Sequence, residues 1–422
     1  MACFDVAIVG AGPAGSTAAR ELARGGARVC LLDKAWFPRP KACGGALSPR
    51  VLRHLPSGVD GLLRARIHRA VFTFRSGRPF EVTSAVPMGY MVCREEFDTW
   101  LRGTAEEAGA CVREGVAVRR VERDGAEFAV RAIGETVRAS WVIGADGANS
   151  LVAAQLLPRR LPAKFIGLES EVPYAGGNLA ETVLVDVGRY PGGYAWAFPK
   201  GDRVNVGVML EFPRGRDLRG ALNAFLEGVP GLAPGASAGW QVAPVAASRR
   251  DPVPCTGKGV LLVGDAARLA DPFLGEGIYY AVRSGSLAAS ALLDGRNGVE
   301  AAVRYEASIA EGIWPDLCAA GRIASLFHRT PRFWHRILSR MPASLMQYVA
   351  VLTGEESYTG LLRHLVDRLG SVAGGWLLPR LGLARWETPW PGLFVNSFAN
   401  NRGNDQIPMT NDQLGWHLRD AP

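Results

Sequence analysis

The sequence predicts a mixed α/β chain with α+β elements: a Rossmann-type dinucleotide-binding domain interleaved with a mixed β-sheet domain, then a helical C-terminal region. Three observations predict it. The chain opens on a strand, a glycine loop, a helix and a second strand. Its middle alternates apolar and polar residues as half-buried strands do. After about residue 300 the pattern becomes helical. At 422 residues, 48% hydrophobic and 21% charged, the chain has room for two or three domains with sizeable cores and falls in the globular class.

Residues 5–9 (DVAIV) read as a buried strand, GAGPAGSTAARELARGG as a turn and helix, and 27–33 (ARVCLLD) as the strand completing a βαβ unit. In the loop, Gly10 permits the tight turn, Gly12 lets a pyrophosphate approach the backbone, and Gly15 lets helix and strand pack closely. The helix N-terminus then offers free N–H groups to the phosphates. Asp33, eighteen residues beyond Gly15, is placed to accept the hydroxyls of an adenosine ribose. Strand, loop, helix and acid in register make a dinucleotide site, and position alone leaves FAD and NAD both open.

Hairpin signals follow at Ser76-Gly77 and Asp124-Gly125. Residues 160–250 are mostly strand-like, GVLLVGD (259–265) is a further buried strand, and a helix begins near Gly275. The expected organisation is 1–68, 92–160 and 253–300 for the dinucleotide domain, 69–91 and 161–252 for the sheet domain, and 301–422 for the helical region. The last two dozen residues read as a loosely packed tail. Within PGGYAWAFPKGDRVNVGV (191–208), Tyr194, Trp196 and Phe198 share one face of a strand, as core or as the wall of a pocket.

GVLLVGDAARLADPFLGEGIYYAVRSG (259–285) resembles the second FAD motif of two-domain flavoproteins related to aromatic hydroxylases. The resemblance implies that Asp265, after Gly264, binds the ribityl chain. It also implies that the helix start at Gly275, Gly277 and Ile278 faces the flavin ring. A helix dipole there favours the reduced, negatively charged flavin by roughly 0.3–2 kcal/mol. Val142-Ile143-Gly144-Ala145-Asp146-Gly147, and Arg94 with Phe97-Asp98, resemble two further motifs of the same superfamily, with Asp146 and Arg94 near the cofactor. The implied cofactor is FAD.

Lys41-Ala42-Cys43-Gly44-Gly45, the YxWxFPK stretch from Tyr194 to Lys200, and GEGIYYAVRSG together resemble the geranylgeranyl reductase family over roughly residues 1–300. That resemblance implies reduction of carbon–carbon double bonds in a prenyl chain, of a geranylgeranyl lipid or a prenylquinone. It sets Cys43, Gly44 and Gly45 beside the flavin and Tyr194, Trp196 and Phe198 along a lipid cavity. An apolar chain suits an aromatic wall, so these rings are read as pocket wall. Cys43 is the candidate proton relay, with Glu276, Tyr279 and Tyr280 as other donors. Two readings compete: a flavin monooxygenase or halogenase acting on an apolar or aromatic substrate, and a membrane-associated electron-transfer flavoprotein that reduces a quinone. Halogenases carry WxWxIP where this chain has YxWxFP.

Charge and cysteines bound the rest. A net charge of +8 rests on arginine, with lysine only at 34, 41, 164, 200 and 258. No nucleic-acid motif accompanies it, so nucleic acid is set aside as a partner. An acidic electron carrier and an anionic membrane remain. Electrons are expected from NAD(P)H, which has no second fingerprint here, or from a reduced ferredoxin-type donor. From Leu317 to Gly354 there is no acid, and Arg322, Arg329, Arg332, Arg336 and Arg340 alternate with Phe327, Phe333 and Trp334. This pattern suits two short helices, broken at Pro331, on a membrane surface or as a solvated face. The seven cysteines are scattered, odd in number and free of CxxC pairs, so neither a metal site nor a disulfide framework is expected. The chain opens directly on a strand and holds no run of about 18 apolar residues. The expected location is cytoplasmic, peripheral on the inner face of the membrane.

Overall fold

The computed structural model describes residues 3–156 and 165–373, less 175–176, 178, 191, 212–216, 230, 233–238, 248–255, 258 and 296–297. The expected tail, Lys164, Cys255 and Lys258 lie outside the described residues. The chain divides into two compact units, Met1–Arg368 and Leu369–Pro422, and the sheets and site below belong to the first.

Strand Cys3–Val9 sits inside the first sheet. It runs parallel to Val29–Leu32 on one side and to Glu135–Gly144 on the other, and the latter runs parallel to Val260–Leu262. These strands read as apolar runs because a parallel sheet covered on both faces buries nearly every residue. Helices Pro13–Arg24 and Ile278–Asp294 pack together on it, so tightly that a Cβ at Gly285 would lie 2.4 Å from the Ala14 carbonyl oxygen. The expected turn at Asp124-Gly125 joins strands Val118–Asp124 and Glu127–Ala132, with Gly125 at φ +66°.

The second sheet has seven strands, and its centre carries the aromatic stretch. Strand Arg203–Glu211 pairs antiparallel with Phe165–Pro173 on one side and with Tyr194–Pro199 on the other. Thr182–Val187 then links Tyr194–Pro199 to Arg69–Phe74. The segment 69–91 is divided between sheets. Arg69–Phe74 and Phe80–Thr83 join this large sheet, whereas Gly89–Val92 joins a three-stranded sheet with Ala46–Leu47 and Leu63–Ile67. Local patterning specifies a strand but not its neighbour, which explains why a simple cut at residue 68 does not follow the pairing. The first hairpin turn puts Arg75 and Ser76 in the left-handed region, one residue before the expected Ser76-Gly77.

From Gly298 the described residues are mainly helical. Helix Trp314–Arg329 stops at Thr330, and Pro331 takes the first position of Pro331–Leu338, where its missing N–H costs nothing. The two expected helices are therefore present, but most of their aromatic side chains serve the core. Trp334 is buried and stacks on Phe327 at 4.8 Å, while His335 meets Phe74 and Phe80 of the large sheet. Of the three aromatics in this stretch only Phe333 is mainly exposed, beside exposed Arg332, Arg336 and Arg340. Among the described residues no helix is long and apolar enough to cross a membrane.

Candidate active site and family

All three sheets and the C-terminal helices contribute walls to one cavity of about 1010 Å³. Of the residues singled out from the sequence, Gly10, Gly12, Asp33, Cys43, Gly44, Gly45, Arg94, Asp146, Gly264, Asp265, Gly275, Gly277, Ile278, Tyr194, Trp196 and Phe198 all border it. Gly15 does not. Its place is between helix and strand, where a Cβ would lie 1.9 Å from the Gly10 carbonyl oxygen.

The end of the cavity nearest the glycine loop suits a dinucleotide. Above Gly12 the space is open, the nearest atom to an added Cβ being an Arg39 guanidinium nitrogen at 3.8 Å. Helices Pro13–Arg24 and Ile278–Asp294 both begin without a side-chain cap, after Gly12 and Gly277, so their first N–H groups are free for a ligand. The second helix starts three residues later than its glycine signal suggested, because Gly275 at φ +74° still belongs to the turn. Asp33 accepts the Ala11 and Ala35 N–H groups at 2.8 and 2.9 Å. A carboxylate has about four lone-pair sites, so it retains capacity for ribose hydroxyls. Burial pushes Asp265 above the ordinary carboxylate range, and Lys41, Arg94 and Arg268 pull it back. Asp146 spends much of its capacity locally, accepting from Ser150, Leu151 and Val152 at the start of the helix Leu151–Leu156. Arg94 binds Asp98 through two hydrogen bonds of 2.8 and 2.9 Å, and Arg39 approaches the same carboxylate at 3.2 Å. These groups fit FAD by their chemistry: two free helix ends and a cluster of cations for phosphates, and acids for hydroxyls.

The other part of the cavity is apolar. The rings of Tyr194, Trp196 and Phe198 follow one another at 5.8 and 6.0 Å between centroids. They are held from behind. The Trp196 indole N–H donates to Asn205 at 2.7 Å, and Asn205 and buried Lys200 both donate to Glu171. Tyr194 donates to the Leu274 carbonyl of the turn before helix Ile278–Asp294. Gly207 leaves room for the indole, since a Cβ there would lie 2.1 Å from it. Gly44 lies against the same wall, 2.8 Å from a Phe198 carbon to an added Cβ, and Gly45 needs its φ of +72°. Both glycines therefore serve packing between loop and wall.

The donors expected beside the flavin divide. Glu276 borders the cavity but is bonded to Ser48 and Arg50. Tyr279 and Tyr280 are not among the cavity-lining residues. The Arg50 guanidinium lies 4.0 Å from the Tyr279 ring centroid and 3.3 Å from the Tyr280 hydroxyl. Helical spacing placed both tyrosines near the helix start, and packing under Arg50 turned them away. Cys43 is half-buried; its N–H donates to Glu169 at 2.7 Å and its sulfur accepts the Gly45 N–H at 3.4 Å.

The family model described as an FAD binding domain matches residues 3–170. A geranylgeranyl diphosphate reductase of Rhodobacter capsulatus is 37% identical over 300 residues, covering 69% of this chain and 75% of that protein. A digeranylgeranylglycerophospholipid reductase of Methanopyrus kandleri is 39% identical over 305 residues, covering 68% and 79%. The chain belongs to the geranylgeranyl reductase family of FAD-dependent oxidoreductases. A solved family structure, described as geranylgeranyl bacteriochlorophyll reductase-like and from Thermoplasma acidophilum, superposes with a TM-score of 0.72 at 25% identity, covering 90% of this chain and 98% of that one.

In this geranylgeranyl reductase family member, three groups went unread in the sequence. Glu169 is a buried acid on the cavity wall. Its only local signal is an acid at an inward position of an apolar strand. Leu345, Tyr348, Val349 and Leu352 close the cavity from the C-terminal helices, and no pattern in that stretch marks them. Asp271 lies inside the 259–285 stretch, whose resemblance assigns it no role. Fully buried, it accepts the Phe273 and Leu274 N–H groups and the Tyr358 hydroxyl, so the start of helix Tyr358–Ala373 is tied to the turn before helix Ile278–Asp294.

Proposed function

We propose that this chain is an FAD-dependent reductase that saturates carbon–carbon double bonds of a prenyl chain carried by a geranylgeranyl lipid or a prenylquinone. One observation carries the reading: the cavity is continuous. The space over the two free helix ends opens onto the aromatic wall and onto Ile67, Met88, Val183, Leu345 and Val349. An elongated apolar space meeting a cofactor cleft is what a prenyl chain requires. The names of the two curated relatives point the same way.

Bound and reduced, FAD supplies hydride to an alkene carbon. The protein's part is to bind, orient and exclude water. Gly10, Gly12 and the first helix end hold the pyrophosphate with Arg39 and Lys41 beside it. Asp33 holds the ribose and Asp265 the ribityl chain. Gly264, Gly275, Gly277 and Ile278 would bring the second helix end to the ring, and Tyr194, Trp196 and Phe198 would hold the prenyl chain along the apolar part of the cavity. An isolated alkene has no carbonyl to carry charge, so a proton must accompany the hydride, and a dry aromatic wall protects the cationic character that develops.

The test is a single anaerobic turnover. The protein is reduced with dithionite and mixed with geranylgeranyl diphosphate or a menaquinone, and the flavin absorbance and product mass are recorded. Reoxidation without oxygen, with one H2 gained per bond, is expected. Flavin that stays reduced until air enters, with an oxygenated or halogenated product, would replace the reading by a monooxygenase or halogenase. A reduced head group with an intact side chain would replace it by an electron-transfer flavoprotein.

The same reading extends to partners. Electrons come from NAD(P)H or an acidic ferredoxin-type carrier, the second favoured by the net charge of +8; comparing the two donors under anaerobic conditions separates them. Arg332, Phe333, Arg336 and Arg340 form one exposed face supporting peripheral contact with an anionic inner membrane surface in the cytoplasm. Flotation with anionic liposomes tests this contact, and no binding at low salt would remove it.

A further inference from the structure

The reaction proposed above needs a proton inside an apolar cavity, and the cavity wall contains one buried acid that no assignment uses. Glu169 is 7% exposed and borders the cavity. It lies in the central strand Phe165–Pro173, directly across from Gly207, which in turn lies directly across from Trp196. Opposed residues in antiparallel strands share a face, so Glu169 and the Trp196 ring stand on the same side of the sheet. Gly207 carries no side chain to separate them.

From the opposite side comes the Cys43–Gly45 loop. Its Cys43 N–H donates to Glu169 at 2.7 Å, so the carboxyl bridges the aromatic wall and the segment bordering the cofactor cleft. We infer that Glu169 is the general acid of the reaction, and that Cys43 serves it through its backbone N–H. This rests on the reductase reading. One alkene carbon takes the hydride that reduced FAD supplies, and the other takes the Glu169 proton. Two electrons pass from the cofactor into the new C–H bond, the cofactor is oxidised, and Glu169 is left as a carboxylate that recovers a proton from water.

The surroundings suit that duty. Burial raises Glu169 above the ordinary carboxylate range, and Glu171 adds to the rise. The Cys43 N–H, Lys200 and Asn205 oppose it without cancelling it. Lys200 is itself bonded to Glu171 at 2.7 Å, which limits how far it favours the anion of Glu169. A desolvated carboxyl keeps its proton to higher pH than a free one, which suits it to donating.

The test compares wild type with Glu169→Gln in the FAD-loaded protein. Glutamine keeps an oxygen for the Cys43 N–H and loses the proton. Reduction by dithionite and the visible flavin spectrum are expected to stay as in wild type, while prenyl saturation slows by about 10²- to 10⁴-fold. The wild-type rate falls as pH rises through the raised Glu169 titration, and the variant has no such limb. Glu169→Asp restores part of the rate. Infrared difference spectra give a readout independent of turnover: a protonated-carboxyl band that titrates in wild type and is missing in Glu169→Gln. A variant that keeps the wild-type rate and pH limb would overturn the assignment while leaving the reductase reading intact. A wild type that saturates no bond would sink the reading and this inference with it. Equal loss in Glu169→Gln and Glu169→Asp, with a changed flavin spectrum, would reduce Glu169 to a structural role and overturn it as acid.

Discussion

Asp271 ties the turn before helix Ile278–Asp294 to the C-terminal helix Tyr358–Ala373, and replacing it with asparagine tests that tie quantitatively. Its carboxyl is 1% exposed and accepts hydrogen bonds of 2.7, 3.2 and 2.8 Å from Phe273, Leu274 and Tyr358. Burial nevertheless dominates and raises it from 3.8 to about 6. A rise of about two units corresponds to about 3 kcal/mol at 1.36 kcal/mol per unit. The sign follows from proton linkage: the folded state holds this proton more tightly than the unfolded chain. The stabilisation is therefore complete below the unfolded value near 3.8 and is lost as pH rises through about 6. Asp271→Asn is neutral throughout and has no such loss. It carries instead a fixed cost of about 1–2 kcal/mol for imperfect replacement of three hydrogen bonds, independent of pH. Thermal or denaturant unfolding of both proteins, from pH 4 to pH 7.5, is the assay. Wild type is expected to be the more stable at pH 4; by pH 7.5 the difference moves by about 2–3 kcal/mol toward Asp271→Asn, which becomes the more stable. A constant difference across the range would refute the reasoning, and a wild-type advantage growing with pH would mean that Asp271 is held as an anion.

Other substitutions test separate parts of the site. Gly15→Ala forces a Cβ against the Gly10 carbonyl at 1.9 Å, and we expect a destabilisation of about 1–3 kcal/mol with loss of the visible flavin band on purification. Gly12→Ala meets nothing closer than 3.8 Å, so it is expected to fold normally and bind FAD weakly; titration with FAD checks the contrast. Val349→Trp puts an indole into the far end of the cavity, and turnover of a short prenyl substrate should survive while that of a long one falls at least tenfold. Equal turnover of both would place the chain elsewhere. Trp196→Phe removes the 2.7 Å bond to Asn205 and leaves that buried carbonyl unpaired, a loss of about 1–3 kcal/mol measurable by thermal melting.

The part of the cavity around the two glycine turns was legible because its determinants are short-range. Gly10, Gly12 and Gly15 act through backbone within one turn, Asp33 lies on the next strand, and Gly264 through Ile278 form a single turn and helix start. Each needs only the right residue at the right spacing. The alternation of Tyr194, Trp196 and Phe198 likewise declared one face of one strand. It did not declare what stood behind the rings or beside them. Lys200 ends the YxWxFPK stretch, but its role, supporting Trp196 through Glu171 and Asn205, exists only once strands Phe165–Pro173 and Arg203–Glu211 are in register.

By itself, then, the sequence determined an α/β chain, a glycine loop between strand and helix, a second glycine turn before a helix, and an aromatic strand face. These are properties of contiguous residues, whose backbone geometry and side-chain periodicity need no distant partner. Only the tertiary structure decided that Glu169 meets Cys43, that Tyr279 and Tyr280 pack beneath Arg50, and that Val349 and Leu345 close the cavity. Only it decided that most aromatics of the basic stretch pack inside. Each of these outcomes joins residues far apart in the chain, where side-chain volume and strand pairing choose among many neighbours that the local pattern leaves equivalent.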